Sequence, residues 1–442
     1  MASYTFVDLF SGCGGLSLGL AMAGMSGRFA VERDAMAFET FAANFLGDEH
    51  APIPQFQWPD WLEKRAWGVD EILEKHKADL KKLRGTIDVL AGGPPCQGFS
   101  FAGRRKEEDP RNLLFEKYVE VVAAIRPKVL VLENVPGMRV AHASSNVVDI
   151  GTGKREKRKS FYDKLLESLD KANYDVRGIM VDASRYGVPQ KRSRLIAIGV
   201  RKDLLEWIDG ADRVVEFLER SRKKQLTDLQ LGDVVSAKDA LSDLEIGSRL
   251  LGDCLDPASP VGFKEANYLG PRSRYQQVMH QGVEGSMDSM RLAKHHDHIK
   301  ERFAQIISEC RQGVRMDDAS RAHFGVKKHR IYPMSPSDPA PTITTLPDDI
   351  LHYSEPRILT VRECARLQSF PDWFHFKGKY TTGGSRRTKE CPRYTQVGNA
   401  VPPFLARAIG LAVGELLQEV DLRKRFCQQA EPAPKLNAKG RA

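Results

Sequence analysis

Between residues 4 and 200 the chain alternates short, almost wholly apolar runs with longer segments whose apolar residues recur every three or four positions. Short runs rich in β-branched residues read as buried strands, and the longer periodic segments as amphipathic helices lying on a sheet. The pattern predicts strands at 5–10, 29–33, 87–91, 129–133, 177–182 and 195–200. It predicts helices at 16–23, 37–45, 69–83, 113–125 and 161–172. This alternation is the mark of an α/β fold with a doubly wound, mostly parallel sheet, in which ligands collect at the carboxyl ends of the strands. A Trp- and Pro-rich stretch, 47–67, interrupts the rhythm as an insertion.

Beyond about Leu204 the alternation gives way, as far as Arg387, to charged helices, loops and scattered histidines. The expected organisation is therefore a first domain of 1–203 plus 388–420 and a second, smaller domain of 204–387. Residues 402–417 regain a helical apolar period, and 421–442 read as a C-terminal tail that is polar and disordered from Glu431.

Composition narrows the partners. A chain of 442 residues, 41% hydrophobic and 28% charged, is ordinary for a folded globular protein. Its 67 Lys and Arg against 58 Asp and Glu leave a net charge of +9, which favours a polyanionic partner. Seven scattered cysteines, without a CxxC pair or a Cys/His cluster at zinc spacing, predict free thiols in a reducing cytoplasm and no metal. No basic segment leads into an apolar run at the N-terminus, and no apolar stretch reaches 18 residues, so neither secretion nor a membrane is expected.

The candidate chemistry sits where predicted strands end. DLFSGCGG, residues 8–15, runs from the first strand into a helix, and Gly12, Gly14 and Gly15 permit a tight turn with a ligand against bare backbone. The next glycine is Gly19, so this is not the GxGxxG of dinucleotide enzymes. Glu32 closes the second strand, at the place from which an acid accepts hydrogen bonds from ribose hydroxyls. Together they suggest an adenosine-type cofactor; a ligand-free turn and a solvated acid are the alternatives.

GGPPCQGFS, residues 92–100, presents Cys96 in a rigid Pro-Pro turn directly after an apolar strand. A thiol offered this way is a nucleophile when a cation or helix N-terminus raises its thiolate fraction, and Arg104 and Arg105 follow in the same loop. Otherwise Cys96 is a small buried hydrophobe. Glu133 ends the apolar run 129–133 and precedes Asn134 and a proline. A carboxyl at the end of a wholly apolar strand is expected to be desolvated, which raises its pKa and suits it to donate a proton near neutral pH, unless it merely caps the next helix. Converging strand ends bring Glu133 and Cys96 toward one pocket.

QKRSR, residues 190–194, begins another apolar strand, and alternation sends Arg192 and Arg194 to one face; a solvated basic cluster is the alternative. KREKRK, residues 154–159, is either a phosphate-touching loop or free surface. QVGNAVPP, residues 396–403, sets a glycine and an asparagine before a Pro-initiated helix.

In order and spacing these motifs resemble the DNA (cytosine-5)-methyltransferase family. DLFSGCGG resembles its cofactor motif, GGPPCQGFS its nucleophile loop, ENV its proton-donor motif, QKRSR its arginine motif and YTQVGNAVPP its last motif. RILTVRECARLQSFPDWF, residues 357–374, is similar to the helix-bearing segment that supports the family's target recognition domain. The resemblance implies methyl transfer from S-adenosylmethionine, leaving S-adenosylhomocysteine, to carbon 5 of a cytosine flipped out of a specific short duplex sequence. It gives Cys96 the covalent adduct at carbon 6 and Glu133 the proton or hydrogen bond at ring nitrogen 3. Arg194, with Arg192, would steady the cytosine carbonyl oxygen.

Phe10, Gly12, Gly14, Glu32, Pro95, Asn399 and Val401 match the family's cofactor contacts, and Asp70 is the candidate for the adenine amine. Gln97 and Ser100 would sit near the emptied stack and the phosphates, and Thr342, in the family-like PTIT of 341–344, beside the target. His295, His296 and His298 read as a solvated helix face rather than a metal site. The resemblance further implies double-stranded DNA as partner, a monomer, a cytoplasmic location and a possible cognate restriction endonuclease. Its rivals are a tRNA cytosine-5 methyltransferase of the same fold, which typically has a smaller recognition region, and an inactive DNA-binding protein, which would have lost the cysteine, the glutamate or the turn.

Overall fold

The computed structural model describes residues 4–47, 52–94, 114–139, 160–382, 386 and 389–430. Its centre is a six-stranded sheet of β1 (Thr5–Leu9), β2 (Ser26–Val31), β3 (Val89–Gly92), β4 (Val129–Asn134), β5 (Tyr174–Asp182) and β6 (Ser193–Arg201), in the order β2-β1-β3-β4-β6-β5. Pairing is parallel from β2 to β4, and β6 runs antiparallel between β4 and β5. The sheet is thus mostly parallel, as the alternating pattern predicts.

The apolar runs are continuous because both faces are covered. Phe6, Val89, Ala91, Val129 and Val131 turn to one face, Val7, Leu9, Leu90, Leu130 and Leu132 to the other. The first face packs against α1 (Gly15–Met22) and α14 (Pro403–Ala430). The second is covered by α3 (Val69–Lys75), α5 (Leu114–Ile125) and α6 (Phe161–Lys171), through residues such as Ile72, Tyr118, Val121, Leu165 and Leu169. Asp34 caps α2 (Ala35–Phe45), accepting from Ala37 N at 3.0 Å.

The insertion covers the sheet's edge. Gln57 N donates to Gly27 O of β2 at 2.9 Å, and the Phe56 ring fills the space over Gly27, where a Cβ would lie 2.4 Å from it. Phe56 also meets Phe6, Phe41 and Phe45 edge-on. The single helix expected at 69–83 is two, α3 and α4 (Lys77–Lys82), broken at His76, whose ring packs against Trp61 and Trp67.

The remaining elements are α7 (Arg213–Leu229), α8 (Ala237–Leu241), β7 (Leu251–Asp253), β8 (Lys264–Ala266), α9 (Arg274–His280), α10 (Asp297–Glu309), α11 (Asp318–His323), β9 (Tyr332–Pro333), β10 (Ile350–Leu351), α12 (Val361–Leu367) and α13 (Arg393–Asn399). Packing does not break at Leu204. Phe217 and Leu218 of α7, and Phe370 and Phe374 after α12, join the cluster that holds α1 and α14. A separate small cluster gathers Ile306, Met316, Ile331, Leu351 and Ile358.

α14 continues through residues expected to be tail, as far as Ala430. Arg423 holds that extension by pairing with Asp209 at 2.7 Å and with Glu419 one turn back at 2.6 Å. Among the described residues no single helix is long and apolar enough to cross a membrane. The expected disorder from Glu431 onward falls outside the described residues.

Candidate active site

The turn after β1 is left-handed at Phe10 (φ 60°), Gly12 (φ 56°) and Gly14 (φ 95°). It is stapled to the end of β2 by Glu32, whose carboxylate accepts from Gly12 N at 2.9 Å and Asp34 N at 2.7 Å. Burial pushes the Glu32 pKa up while these two N–H groups pull it down. Each carboxylate oxygen retains a lone pair for a hydroxyl donor. A Cβ on Gly12 would meet nothing within 4 Å, and Ser11 Oγ is buried without a hydrogen-bond partner among the described residues. Open space, an orphan hydroxyl and an acid with spare acceptor capacity suit the ribose and amino-acid ends of S-adenosylmethionine.

The C-terminal motif closes on this turn. A Cβ on Gly15 would lie 2.4 Å from Val401 O, and Cys13 Sγ donates to Gln396 O at 3.7 Å. Burial pushes the Cys13 thiol up to about 12, so this sulfur is inert despite its place in the turn. Val401 is buried and Asn399, the last residue of α13, is exposed.

Arg192 and Arg194 have different surroundings. Arg192 is 2% exposed, and its guanidinium donates to the carbonyls of Ile343 (3.2 Å), Gly398 (3.1 Å) and Ala400 (3.0 Å). Its two terminal nitrogens thus tie three chain segments together, while its Nε is buried without a hydrogen-bond partner among the described residues. The same junction needs Gly398, where a Cβ would lie 2.3 Å from Thr344 O. Thr342 belongs to it as well, its hydroxyl donating to Lys191 O at 2.6 Å.

Arg194 instead meets Glu133, Nε to Oε1 at 2.7 Å, with both side chains 13% exposed. Glu133 opposes Ile196 across the β4–β6 ladder, so Arg194, two residues away, shares its face. The nucleophile loop starts at this pair. A Cβ on Gly93 would lie 3.4 Å from Glu133 Oε2, and Asn134 Nδ2 donates to Pro94 O at 3.2 Å. Pro95, Cys96, Gln97 and Ser100 follow immediately and lie outside the described residues.

Asp70 stands apart from this constellation. Trp67 N donates to Glu32 O at 2.8 Å and brings the start of α3 beside β2. The Asp70 side chain, however, is 68% exposed and its ion-pair partner is Lys117, 3.9 Å away. His296 and His298 stack on each other, and His295 Nε2 accepts from Ile358 N at 3.4 Å. Among the described residues no group of three or more His, Cys, Asp or Glu side chains is arranged to hold a metal ion.

Sequence reasoning passed over Asp8, although a carboxyl inside an apolar strand was the available signal. It is fully enclosed, accepts from Ser17 Oγ at 2.6 Å, and leaves Oδ1 without a partner among the described residues. Burial pushes its pKa up to about 7.

The family of C-5 cytosine-specific DNA methylases matches residues 4–415. The type II methyltransferase M.DdeI of Desulfomicrobium norvegicum is 30% identical, over 94% of this chain and 90% of its own. M.XorII of Xanthomonas oryzae is also 30% identical, over 93% of this chain and 85% of its own. The crystal structure of a prophage-encoded DNA modification methyltransferase of E. coli superposes with a TM-score of 0.61 at 27% identity, covering 94% of this chain and all of that one. With strand ends, glycine turn, acid–arginine pair and closing motif arranged as described, the chain belongs to the C-5 cytosine-specific DNA methylases and is a methyltransferase.

Proposed function

We propose that the protein methylates carbon 5 of a cytosine flipped out of a specific short sequence in duplex DNA, through a covalent Cys96 adduct. The observation that carries this reading is the Glu133–Arg194 pair beside Gly93 and Pro94, where the Cys96 loop leaves β3. Cysteine chemistry elsewhere supports it: Cys13, Cys364 and Cys391 are all pushed up by burial, so none of the three is a ready thiolate.

S-adenosylmethionine, when bound, supplies the electrophilic methyl group that carbon 5 takes. The bare backbone at Gly12 and Gly14 would hold it, with Phe10 and Pro95 at its sides, Glu32 accepting its ribose hydroxyls, and Asn399 and Val401 closing from the C-terminal motif. Cys96, as its thiolate, would add to carbon 6 and make carbon 5 nucleophilic; after carbon 5 has taken the methyl group, loss of its proton to a base and expulsion of the Cys96 thiolate would restore the ring. Glu133 would hold a proton on ring nitrogen 3 as that charge develops, oriented by Arg194, which also donates to the cytosine carbonyl oxygen. Gln97 and Ser100 would occupy the space the base leaves. Arg192 acts as a positioning residue that fixes α13 against Ile343, and Thr342 reaches the DNA backbone from the same junction.

On this reading the enzyme works in the cytoplasm, as a monomer, either beside a cognate restriction endonuclease or as a solitary methyltransferase. Bases would be read from the recognition domain of 204–387, part of which, gathered around Ile306, Met316 and Ile331, packs apart from the shared core. The test is expression in a methylation-deficient bacterial host, beside Cys96→Ser, followed by conversion sequencing of host DNA. Protected cytosines at one short motif with the wild type alone are expected. Unmodified DNA from soluble, cofactor-binding protein would overturn duplex DNA as substrate, and methyl transfer to tRNA in the same assay would replace it.

A further inference from the structure

The antiparallel pair β7–β8 carries a loop, 254–263, that is closed by Cys254 N donating to Phe263 O at 2.9 Å. Inside it Asp256 accepts from Ala258 N at 2.9 Å through its side chain and from Ser259 N at 2.8 Å through its carbonyl, while Pro257 and Pro260 fix the flanks. This built tip leaves Leu255 84% and Val261 100% exposed. Arg291 and Lys294 stand behind its base over Phe263, and Lys264 beside them pairs with Asp253 at 2.8 Å. Apolar side chains held out from a preorganised turn, with cations behind them, fit a duplex: methyl groups in the groove meet the former and phosphates the latter.

Behind the tip, cations and rings alternate in a column. Lys294 and Arg291 lie 4.6 and 4.3 Å from the Phe263 ring centre, and Arg291 and Arg393 lie 3.7 and 4.5 Å from that of Tyr380. Asp256 closes the column. It accepts from the Tyr380 hydroxyl at 2.8 Å and from both terminal nitrogens of Arg393, Nη2 at 3.1 Å. Arg393 is the buried first residue of α13, tied also to Gly378 O and Ser289 Oγ at 3.0 Å each. One turn later, Gln396 O receives the Cys13 thiol, and beyond it Val401 O abuts Gly15.

Resting on the DNA methyltransferase reading above, we infer that loop 254–263 is a duplex-contacting arm, and that the Asp256–Arg393 pair is the positioning link that couples its seating to the cofactor turn. A buried arginine cannot let its carboxylate go without being left uncompensated, so the arm and α13 move as one body. DNA that holds the arm therefore holds α13 against the turn, and by linkage the cofactor strengthens the hold on DNA equally.

The test uses the full chain, S-adenosylhomocysteine as cofactor probe and unmethylated plasmid duplex as DNA probe. Calorimetry gives the S-adenosylhomocysteine dissociation constant with and without DNA. In the wild type DNA should tighten it by about fivefold or more, whereas Asp256→Asn, which keeps side-chain volume and removes the charge that holds Arg393, should bring the ratio close to one; Tyr380→Phe, which leaves the pair in place, should keep the folded arm and most of the ratio. Leu255→Ser with Val261→Ser should weaken DNA binding about tenfold and leave the DNA-free cofactor constant unchanged. A wild-type ratio of one, a wild-type ratio retained in Asp256→Asn, or unchanged DNA affinity in the double variant each overturns the inference. Methyl transfer to the plasmid is read in parallel: its absence in the wild type overturns the enzymatic reading itself, while transfer with an unaltered ratio overturns only the link.

Discussion

Three carboxyls near the site have three different environments, and each environment decides what its carboxyl does. Glu32 is held by two backbone N–H groups and orders a turn, Glu133 is held by a guanidinium, and Asp8 has one hydroxyl donor and an orphan oxygen. Asp8 gives a pH prediction with a definite sign. Its ordinary value is 3.8 and its folded value about 7, so between those pH values the folded chain binds a proton that the unfolded chain has released. Stability from this group is therefore fully present below about pH 4 and is lost as pH rises to 7, by about 4 kcal/mol at most. Asp8→Asn, neutral at every pH, should remove that slope, so its urea midpoint should gain on the wild type between pH 5 and 8. Parallel pH profiles for the two proteins would sink the assignment. Glu133→Gln should leave S-adenosylhomocysteine binding within about twofold and lower kcat at least about a hundredfold, because it keeps the shape and removes the acid. Loss of binding with kcat intact would contradict the role.

At the level of elements, the junction of segment 340–344, the start of β6 and α13 depends on one arginine and one glycine. Arg192→Met keeps the volume but strips three carbonyls of their donor, and should cost about 3 kcal/mol or more of stability. Gly398→Ala places a methyl against the Thr344 carbonyl, backbone against backbone, and should cost about 1–3 kcal/mol with a displaced α13. Arg194→Met should leave the thermal midpoint much closer to the wild type than Arg192→Met does; equal losses in thermal melts would refute the division of labour between the two. The sequence could not make that division, since two arginines at i and i+2 look alike until tertiary packing encloses one of them. Strands β1, β3 and β4 were legible for the opposite reason: burial on both faces leaves a continuous apolar run that needs no partner to be recognised. The break at His76 was not, because the rings that hold it lie in an insertion whose folding the local pattern does not encode. Asp256 and Arg393, 137 residues apart, left no local signal at all.

Over the whole molecule, burial is uneven in a way that divides labour. The sheet and its two helical layers hold the turn, the acid–arginine pair and the closing motif, whereas α10 has Ile306 as its buried residue and α11 has none. Fixed geometry gains from the first environment and ease of adjustment from the second. Between them lies a buried ionic seam in which Arg366 is shared by Asp243 and Asp372, and Arg357 pairs with Glu363, all fully or nearly fully enclosed. Charges so enclosed cannot separate without being stranded, so the seam fixes the register of the chain after α8 against α12 more than it adds to stability. Native-state hydrogen exchange should then show at least two tiers: amides of β1, β3, β4 and α12 opening only with global unfolding, and those of α10 and α11 opening well before it. S-adenosylhomocysteine should slow exchange at 10–15 and 393–401 and leave α10 and α11 as they were. Uniform protection across α10, α11 and the sheet would mean that the small Ile306 cluster is continuous with the core, and that α10 and α11 are as rigid as the sheet.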